Sequence, residues 1–215
     1  MSRPHGLIAV LLTFAALGAS LVLYERLPAI IPLHWNLHGQ VDGYGAKEWA
    51  VFALPSLMAA LLVLYRLLPW LSPRRFEVDS FRLTCDFLMV LSVALLGYIH
   101  ALSLWAAASG TADVARPMVA GIFLFFALLG NVLGRVRRNF WIGVRTPWTL
   151  ASERVWIDTH RFSARLFVAI GIAGFLAILA GAPIVAAVAL LLASVLVCVV
   201  YSLVHSKRLE RRGVI

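Results

Sequence analysis

A stretch from residue 130 to 167 combines many arginines with aromatic side chains. Its sequence is GNVLGRVRRNFWIGVRTPWTLASERVWIDTHRFSARLF. Of the 19 basic residues in the chain, it holds Arg135, Arg137, Arg138, Arg145, Arg154, Arg161 and Arg165. A guanidinium group presents a planar fork of donors that fits carboxylate or phosphate, and aromatic rings sit well at the depth of lipid headgroups. We therefore expect Arg138, Arg145 and Arg161 to converge on a phosphate or carboxylate, such as an anionic lipid or free phosphate at the inner interface.

A second group of potential ligands lies in the loop at residues 25–48, ERLPAIIPLHWNLHGQVDGYGAKE. His34, Asn36, His38 and Asp42 are close together in this loop. A spacing of four would place His34 and His38 on one face of a helix as a metal pair, but Gly39 allows at most one helical turn there. A lone HxxxH pattern is not specific, so both histidines stay weak candidates and no metal is assigned. We expect a hydrogen-bonded, partly solvated loop that turns at DGYG, residues 42–45.

The composition indicates that both groups belong to an integral membrane protein. Of 215 residues, 62% are hydrophobic and 13% are charged, and the mean hydropathy is +0.91, which excludes an ordinary soluble domain. The net charge of +9 then reflects basic loops on one side of a membrane, so nucleic acid is not predicted as a direct partner. Cys85 and Cys198 frame no loop and form no CxxC pattern, which favours apolar packing over a disulfide or a zinc site.

Six continuously apolar segments are long enough, with their flanking residues, to cross a bilayer as helices. They are Leu7–Tyr24, Trp49–Leu68, Leu83–Ala108, Pro117–Leu133, Leu166–Ala180 and Pro183–Val204. A signal peptide is the alternative for the first segment, but it has no small-x-small cleavage site, so we interpret it as a retained span. The predicted fold class is an all-α polytopic membrane protein with six transmembrane helices.

The basic residues predict the orientation of these helices. One side of the membrane receives 16 of them and the other side receives 3. By the positive-inside rule, both termini and the loop at 134–165 are expected in the cytoplasm, and the loop at 25–48 is expected outside. The chain then divides into residues 1–82, with two spans, the outer loop and a basic inner loop, and residues 83–215, with spans three to six and the Arg-rich loop.

Some individual residues in and beside the spans predict local structure. His100 is a candidate proton relay within the third span, although no acidic residue lies near it in that segment. Gly130 and Gly134 form a small-xxx-small pattern that lets another helix approach closely, with Asn131 expected to make an interhelical hydrogen bond. Thr146 followed by Pro147 is a good helix start.

A further helix is predicted from Ser152 onward, because apolar and small residues recur there at a spacing of three or four. Arg154, Asp158, Arg161 and Arg165 occupy its opposite face. We expect this helix to lie in the inner interface before the fifth span begins.

The two motifs together resemble a known family. The stretch at 130–167 is similar to the signature of the SdpI immunity-protein family, and the matching positions are Gly130, Asn131, Gly134, Asn139, Gly143, Arg145, Thr146, Pro147, Trp148, Thr149, Leu150, Val155, Trp156, Thr159, His160 and Arg161. The outer loop resembles a small domain of unknown function that commonly precedes this signature, with Pro32, His34, Trp35, Asn36, Gly39, Asp42 and Lys47 matching.

The resemblance implies a six-span protein of the bacterial inner membrane that protects its cell against a secreted toxic peptide and recruits a cytoplasmic repressor. On this hypothesis His34, Trp35, Asn36 and Asp42 meet the peptide outside. Asn131, Asn139, Arg138, Arg145, Thr146, Trp148, Trp156, His160 and Arg161 then serve ligand or partner binding at the inner side.

Two other classes of protein stay open at this point. One is an enzyme or transporter acting on a phosphorylated or lipid-linked substrate, with Arg145 as anion clamp and His160 as proton donor or acceptor. The sequence has no nucleophile and base pair, phosphate-binding glycine loop or carboxylate cluster near the arginines, so no catalytic residue is assigned and no cofactor is predicted. The other is a structural membrane protein whose motifs only set helix packing.

Overall fold

The computed structural model describes residues 1–71, 79–110 and 114–215, and it has six long helices in this part of the chain. They are α1 Arg3–Leu23, α2 Lys47–Leu71, α3 Arg82–Ser109, α4 Ala115–Leu133, α6 Glu153–Leu179 and α7 Ile184–Arg211, with a short α5 at Pro147–Ala151 between α4 and α6. All six long helices are apolar and long enough to cross a bilayer, which confirms the predicted spans. Arg74 and Arg75, two residues that predicted the orientation, lie outside the described residues.

The outer loop contains two β-strands, the only strands in the described residues. Strands β1 Ile30–Trp35 and β2 Val41–Ala46 form an antiparallel hairpin, and its turn lies at Asn36–Gln40 with Gly39 at φ +81°. The turn predicted at DGYG is therefore wrong, because residues 42–45 belong to β2. Gly43 and Gly45 instead make room for β1, since a Cβ at Gly43 would lie 2.8 Å from the Cβ of His34.

Helix α6 begins as predicted, but it continues into the fifth span without a break. The Ser152 side chain accepts a hydrogen bond from the backbone N–H of Val155 and caps the helix. From Glu153 the helix continues unbroken to Leu179, so the separate interfacial helix expected before the fifth span is not formed. Its first turns are instead the inner extension of the span itself.

The closest helix packing is between α4 and α6, and it depends on glycine. A Cβ at Gly130 would lie 2.7 Å from the backbone nitrogen of Val168, and one at Gly171 would lie 2.5 Å from that of Ala127. This confirms Gly130 as a close-approach position, but the prediction is wrong for Gly134, which follows the last residue of α4 and where a Cβ would lie 3.8 Å from that of Ala164. Asn131 is exposed on α4 and its side chain has no hydrogen bond to the described residues, so the interhelical bond predicted for it is not formed. Gly130 faces α6, and Asn131 points away from that helix because successive residues are about 100° apart around a helix axis.

The long helices form two groups by contact. Helices α1, α2 and α3 pack together as the first group, while α4, α6 and α7 form the second, and α3 contacts α4 between them. The predicted division of the chain at residues 82 and 83 stays a prediction, although α3 packs with α1 and α2.

The two ends of the bundle are packed differently. At the end that carries the loop at 134–152, called here the inner end, one buried core joins both groups through Tyr65, Leu88, Val132, Trp156 and Cys198. At the opposite, outer end, the buried residues form separate clusters for the two groups. The bundle is therefore joined at its inner end and less tightly joined at its outer end.

The hairpin bridges the two groups at the outer end. Ile31 of β1 is buried with Ala50 and Leu104 of the first group. Trp35, at the other end of the same strand, packs against the cluster of the second group that contains Ala115 and Ile184. A single strand thus contacts both helix groups.

Candidate functional sites

The inner loop, residues 134–152, is organised around the buried amide of Asn139. Its Oδ1 accepts hydrogen bonds from the backbone N–H groups of Trp141 and Ile142, both at 2.7 Å. Its Nδ2 donates to the carbonyls of Arg137 and Ile142, both at 2.9 Å. Since Asn139 is fully buried and its amide is bonded on both sides, it holds the loop closed rather than presenting itself to a partner.

His160 and Trp156 connect this loop to α6. The His160 ring is 1% exposed and stacks on Trp156 with 4.0 Å between ring centroids. Its Nδ1 lies 2.8 Å from the carbonyl of Trp156, and its Nε2 accepts a hydrogen bond of 3.1 Å from the backbone N–H of Val144. This network assigns the proton to Nδ1, so both ring nitrogens are engaged.

Gly143 makes the contact between the loop and His160 close. Its φ is +117°, a backbone conformation that favours glycine, and a Cβ there would overlap the ring at Nε2. Position 143 therefore requires glycine both for its backbone conformation and for the space that the His160 ring occupies.

Helix α5 attaches the inner loop to α7. Thr146 is its N-cap, and Thr146 and Thr149 form a reciprocal capping box, which confirms the predicted helix start at Thr146 and Pro147. The indole Nε1 of Trp148 donates a 2.6 Å hydrogen bond to Ser202 of α7. The motif's threonines and this tryptophan thus fix the loop against the second helix group.

The arginines predicted to converge on one anion lie in different surroundings. Arg138 donates to the carbonyls of Leu150 and Ala151 at the C-terminus of α5, at 3.2 and 3.3 Å. Arg145 donates to the carbonyl of Phe140. Arg161 lies elsewhere, at a pocket that neither of the other two lines.

That pocket, called here the arginine pocket, has a volume of about 640 Å³. The side chains with donors that line it are Ser80, Arg82, Thr84, Arg135, Arg137 and Arg161. Arg135, Arg137 and Arg161 are exposed and have no hydrogen bond or ion pair with the described part of the chain. The first turn of α3 also lines it, and that helix has no side-chain cap at Phe81.

The predicted residues of the outer loop lie together on the hairpin. His34 Nδ1 is 2.5 Å from Asp42 Oδ1 across the two strands, and both side chains are accessible. Asn36 closes the turn, since its Oδ1 accepts from the backbone N–H groups of His38 and Gln40 at 2.9 and 3.0 Å. Within residues 1–71, 79–110 and 114–215, no group of three or more His, Cys, Asp or Glu side chains could hold a metal ion.

Beneath the hairpin lies a cavity of about 580 Å³, called here the outer cavity. His34, Trp35 and Asn36 line its mouth. Apolar side chains from both helix groups form its walls, including Leu54 of α2, Met118 and Ile122 of α4, and Val188 of α7. The outer-loop residues therefore stand at the entrance to a largely apolar space between the two groups.

His100 is the most buried polar side chain of this cavity, at 3% exposed. Its Nε2 lies 2.9 Å from Ser20 Oγ and 3.1 Å from the carbonyl of Ala16, both on α1. The hydroxyl of Ser20 donates at 2.6 Å to the carbonyl of Val51 on α2. His100 thus takes part in a polar contact that joins all three helices of the first group.

Several residues that shape these sites have no local sequence signal. Ser202 is an ordinary small residue of an apolar helix, but it receives the Trp148 bond. Arg82 precedes the third span and lines the same pocket as Arg161 only because the start of α3, the residues after α4 and the first turns of α6 meet at the inner end. Arg135 and Arg137 are in the arginine-rich stretch, as is the predicted Arg161, so the sequence could have indicated them.

These features define a multi-pass α-helical membrane protein with a β-hairpin at one end and a folded arginine-rich loop at the other. The sequence model of the SdpI/YfhL protein family matches residues 135–202, which run from the inner loop into α7. A domain of unknown function (DUF1648) matches residues 11–59, which include the hairpin. The predicted resemblance to the SdpI immunity-protein family is thereby confirmed.

A curated relative agrees with these matches. The immunity protein SdpI of Bacillus subtilis (strain 168) is 27% identical over 168 residues, which cover 77% of each chain. No solved structure matches the chain with significance.

Proposed function

We propose that this protein protects a bacterial cell against a secreted toxic peptide and that its inner loop recruits a cytoplasmic repressor. The similarity to an immunity protein supports the first part. The observation that carries the proposal is the position of the two motifs at opposite ends of one bundle, with the hairpin at the mouth of the outer cavity and the inner loop fixed to α6 and α7. A peptide that binds outside changes the inner surface only if it binds one arrangement of the helices more tightly than another.

The exposed groups of the inner end are the ones that offer a partner surface. Asn139, Trp156 and His160 are buried and bonded within the protein, so they hold the loop in shape. Phe140 is 47% exposed and Arg161 is exposed. An acidic and partly apolar patch on the repressor is the chemistry that fits this surface.

The orientation is part of the proposal, and it predicts the accessibility of two exposed positions. In a background without the two buried cysteines, Gln40→Cys in the hairpin turn should react with a membrane-impermeant thiol reagent on intact cells. Ala151→Cys in the inner loop should react only after the membrane is opened. Labelling is read by mass shift on gels, and equal or reversed labelling contradicts cytoplasmic termini in the bacterial inner membrane.

The function itself predicts that outer and inner variants have different effects. His34→Ala and Asp42→Ala should abolish both survival and reporter output in a toxin-sensitive host that carries a repressor reporter. Arg161→Ala should leave survival intact and abolish reporter output, because its side chain is exposed and has no partner within the described residues. Membrane levels are compared by immunoblot, and Arg208→Ala on the exposed end of α7 is the matched inner control. Survival unaffected by both outer variants contradicts the proposal.

A phosphate group is a second proposed partner, at the arginine pocket. Three guanidinium groups without a partner in the described residues, beside a helix start without a side-chain cap there, favour an anion, and an anionic lipid headgroup is close at hand at this depth. We expect Arg135→Gln/Arg161→Gln to weaken binding of a soluble short-chain phosphatidylglycerol roughly thirtyfold, at about 1 kcal/mol per lost charge. The readout is ligand-induced thermal stabilisation of the purified protein in neutral detergent.

The control for this experiment is Arg208→Gln/Arg211→Gln, which removes the same charge from exposed positions outside the pocket. Inorganic phosphate at matched ionic strength distinguishes a free anion from a lipid headgroup, and phosphatidylcholine tests the need for net charge. If both double variants weaken binding equally, the effect is general surface charge and the pocket is not a site.

An enzyme has less support than an immunity protein. His160 was its candidate acid or base, yet both ring nitrogens are engaged by backbone groups and the ring is buried. The named relative is an immunity protein. We therefore assign no catalytic residue.

A further inference from the structure

The outer cavity extends deep into the membrane part of the bundle. Its mouth is formed by hairpin residues, and His100 lies about 14 Å from the outer end of α3 at the rise of an α-helix. The cavity volume of about 580 Å³ is in the range of sites that hold small ligands. Because it lies between the two helix groups, an occupant would contact both of them.

In the deep part of this cavity, one hydrogen-bond acceptor has no partner among the described residues. The Ser20 hydroxyl uses its proton on the Val51 carbonyl, so Nε2 of His100 must carry a proton to bond with Ser20 Oγ and the Ala16 carbonyl. The other nitrogen, Nδ1, is then an acceptor, and it makes no hydrogen bond to the described part of the chain. The side chain is 97% buried, but Nδ1 is not one of the enclosed atoms without a partner, so a donor of an occupant can reach it from the cavity that His100 lines.

This acceptor limits the chemistry of the occupant. The tail of a phospholipid suits the apolar walls, but it has no donor at the depth of His100. Water can donate a hydrogen bond, but its contact with the leucine, isoleucine, valine and methionine side chains of the walls is unfavourable. A peptide with apolar side chains supplies both, since every residue except proline has a backbone N–H.

We propose that the outer cavity binds an apolar segment of a peptide and that a backbone N–H of this segment donates a hydrogen bond to Nδ1 of His100. The proposal rests on the proposed function for the origin of the peptide, which is secreted and reaches the cavity past the hairpin. It adds the chemical class of the bound segment and the residue that anchors it.

Two variants test the acceptor and the space separately. In His100→Gln the side-chain amide nitrogen can take the place of Nε2 and keep the bonds to α1, while the acceptor at Nδ1 is lost. Ala53→Phe places a ring in the cavity, because Ala53 is an exposed residue of α2 that lines it. Ala60→Phe is its matched control, an exposed position of the same helix outside the cavity.

The experiment uses the full-length protein in lipid nanodiscs and photo-crosslinking with mass spectrometry. The first probe is a short acetylated poly-leucine amide that contains a diazirine leucine. The second is the same peptide with N-methylated backbone nitrogens, which has no amide N–H along the segment. The third is a phosphatidylcholine with a diazirine in its acyl chain.

The peptide should cross-link saturably to Met118 and Ile122, and N-methylation should weaken its binding about fivefold to tenfold, the effect of losing one hydrogen bond. His100→Gln should weaken binding of the first peptide by the same factor, so that both peptides bind this variant equally well. Ala53→Phe should reduce cross-linking at least tenfold, with Ala60→Phe unchanged. Cavity labelling by the lipid probe in place of the peptide, or equal binding of both peptides to the unmodified protein, overturns the proposal.

Failure of this inference can be told apart from failure of the proposed function. If the peptide binds in the predicted pattern but the protein gives no protection, the peptide site stands and the proposed immunity function is wrong. If Ala53→Phe protects cells as well as the unmodified protein at equal membrane levels, the peptide site is wrong even though the immunity function stands.

Discussion

Replacing Gly143 by alanine should destabilise the folded protein by about 3 kcal/mol. The positive φ costs an alanine about 1 kcal/mol or more, and the new methyl group would overlap the His160 ring. The ring must then move and lose the Val144 hydrogen bond, which adds about 1–3 kcal/mol because His160 is buried. In mild detergent the melting temperature should fall by roughly 6–12 °C for a chain of this size.

A second glycine of the same region separates this explanation from a general intolerance to change. Gly134 ends α4 with a negative φ, and a Cβ there would meet only the Cβ of Ala164 at 3.8 Å. Gly134→Ala should therefore melt within about 2 °C of the unmodified protein, since a surface change costs at most about 0.5 kcal/mol. Equal melting temperatures for Gly143→Ala and Gly134→Ala would mean that the contact with His160 does not hold the loop.

Replacing Gly171 by alanine should separate α4 from α6. The new Cβ would lie 2.5 Å from the backbone nitrogen of Ala127 and 2.7 Å from its Cα, and a helix backbone cannot yield as a flexible side chain does. Overpacking of this kind costs about 1–3 kcal/mol, and the whole helix pair has to adjust. We expect faster thermal inactivation in detergent and a lower melting temperature.

Gly18 of α1 is the matched control for this variant. A Cβ at Gly18 would meet no atom of the described residues within 4 Å, so Gly18→Ala should be neutral or stabilise the helix by about 0.5–1 kcal/mol. A destabilised Gly18→Ala would indicate that glycine is needed along these helices for a reason other than close packing.

The parts of the fold that sequence predicts are those with a local cause. The six spans follow from continuous apolar runs, the start of α5 from Thr146 and Pro147, and the start of α6 from Ser152. Gly130 was identified as a packing position because small residues four apart share one helix face. None of these inferences needs a contact between distant parts of the chain.

The features that were missed depend on such distant contacts. Arg138 bonds to Leu150 and Ala151 because the inner loop folds back on itself, so its charge is used inside the loop. Trp148 meets Ser202, which is more than 50 positions away in sequence. The turn at Asn36–Gln40 was missed because the glycines of DGYG are also strong turn residues, and only the position of β1 reveals that they make room for its side chains.

The strand β1 also sets an upper limit on the width of what the outer cavity can admit. Its two contacts, Ile31 with the first helix group and Trp35 with the second, are four residues apart. A fully extended chain of that length spans about 14 Å at most. An occupant that moved the two groups farther apart than this backbone length and the two side chains together can span would have to pull one of these side chains from its site. The hairpin therefore limits how far the two helix groups can separate at the mouth of the bundle. The fluorescence of Trp35 would report a separation beyond this limit.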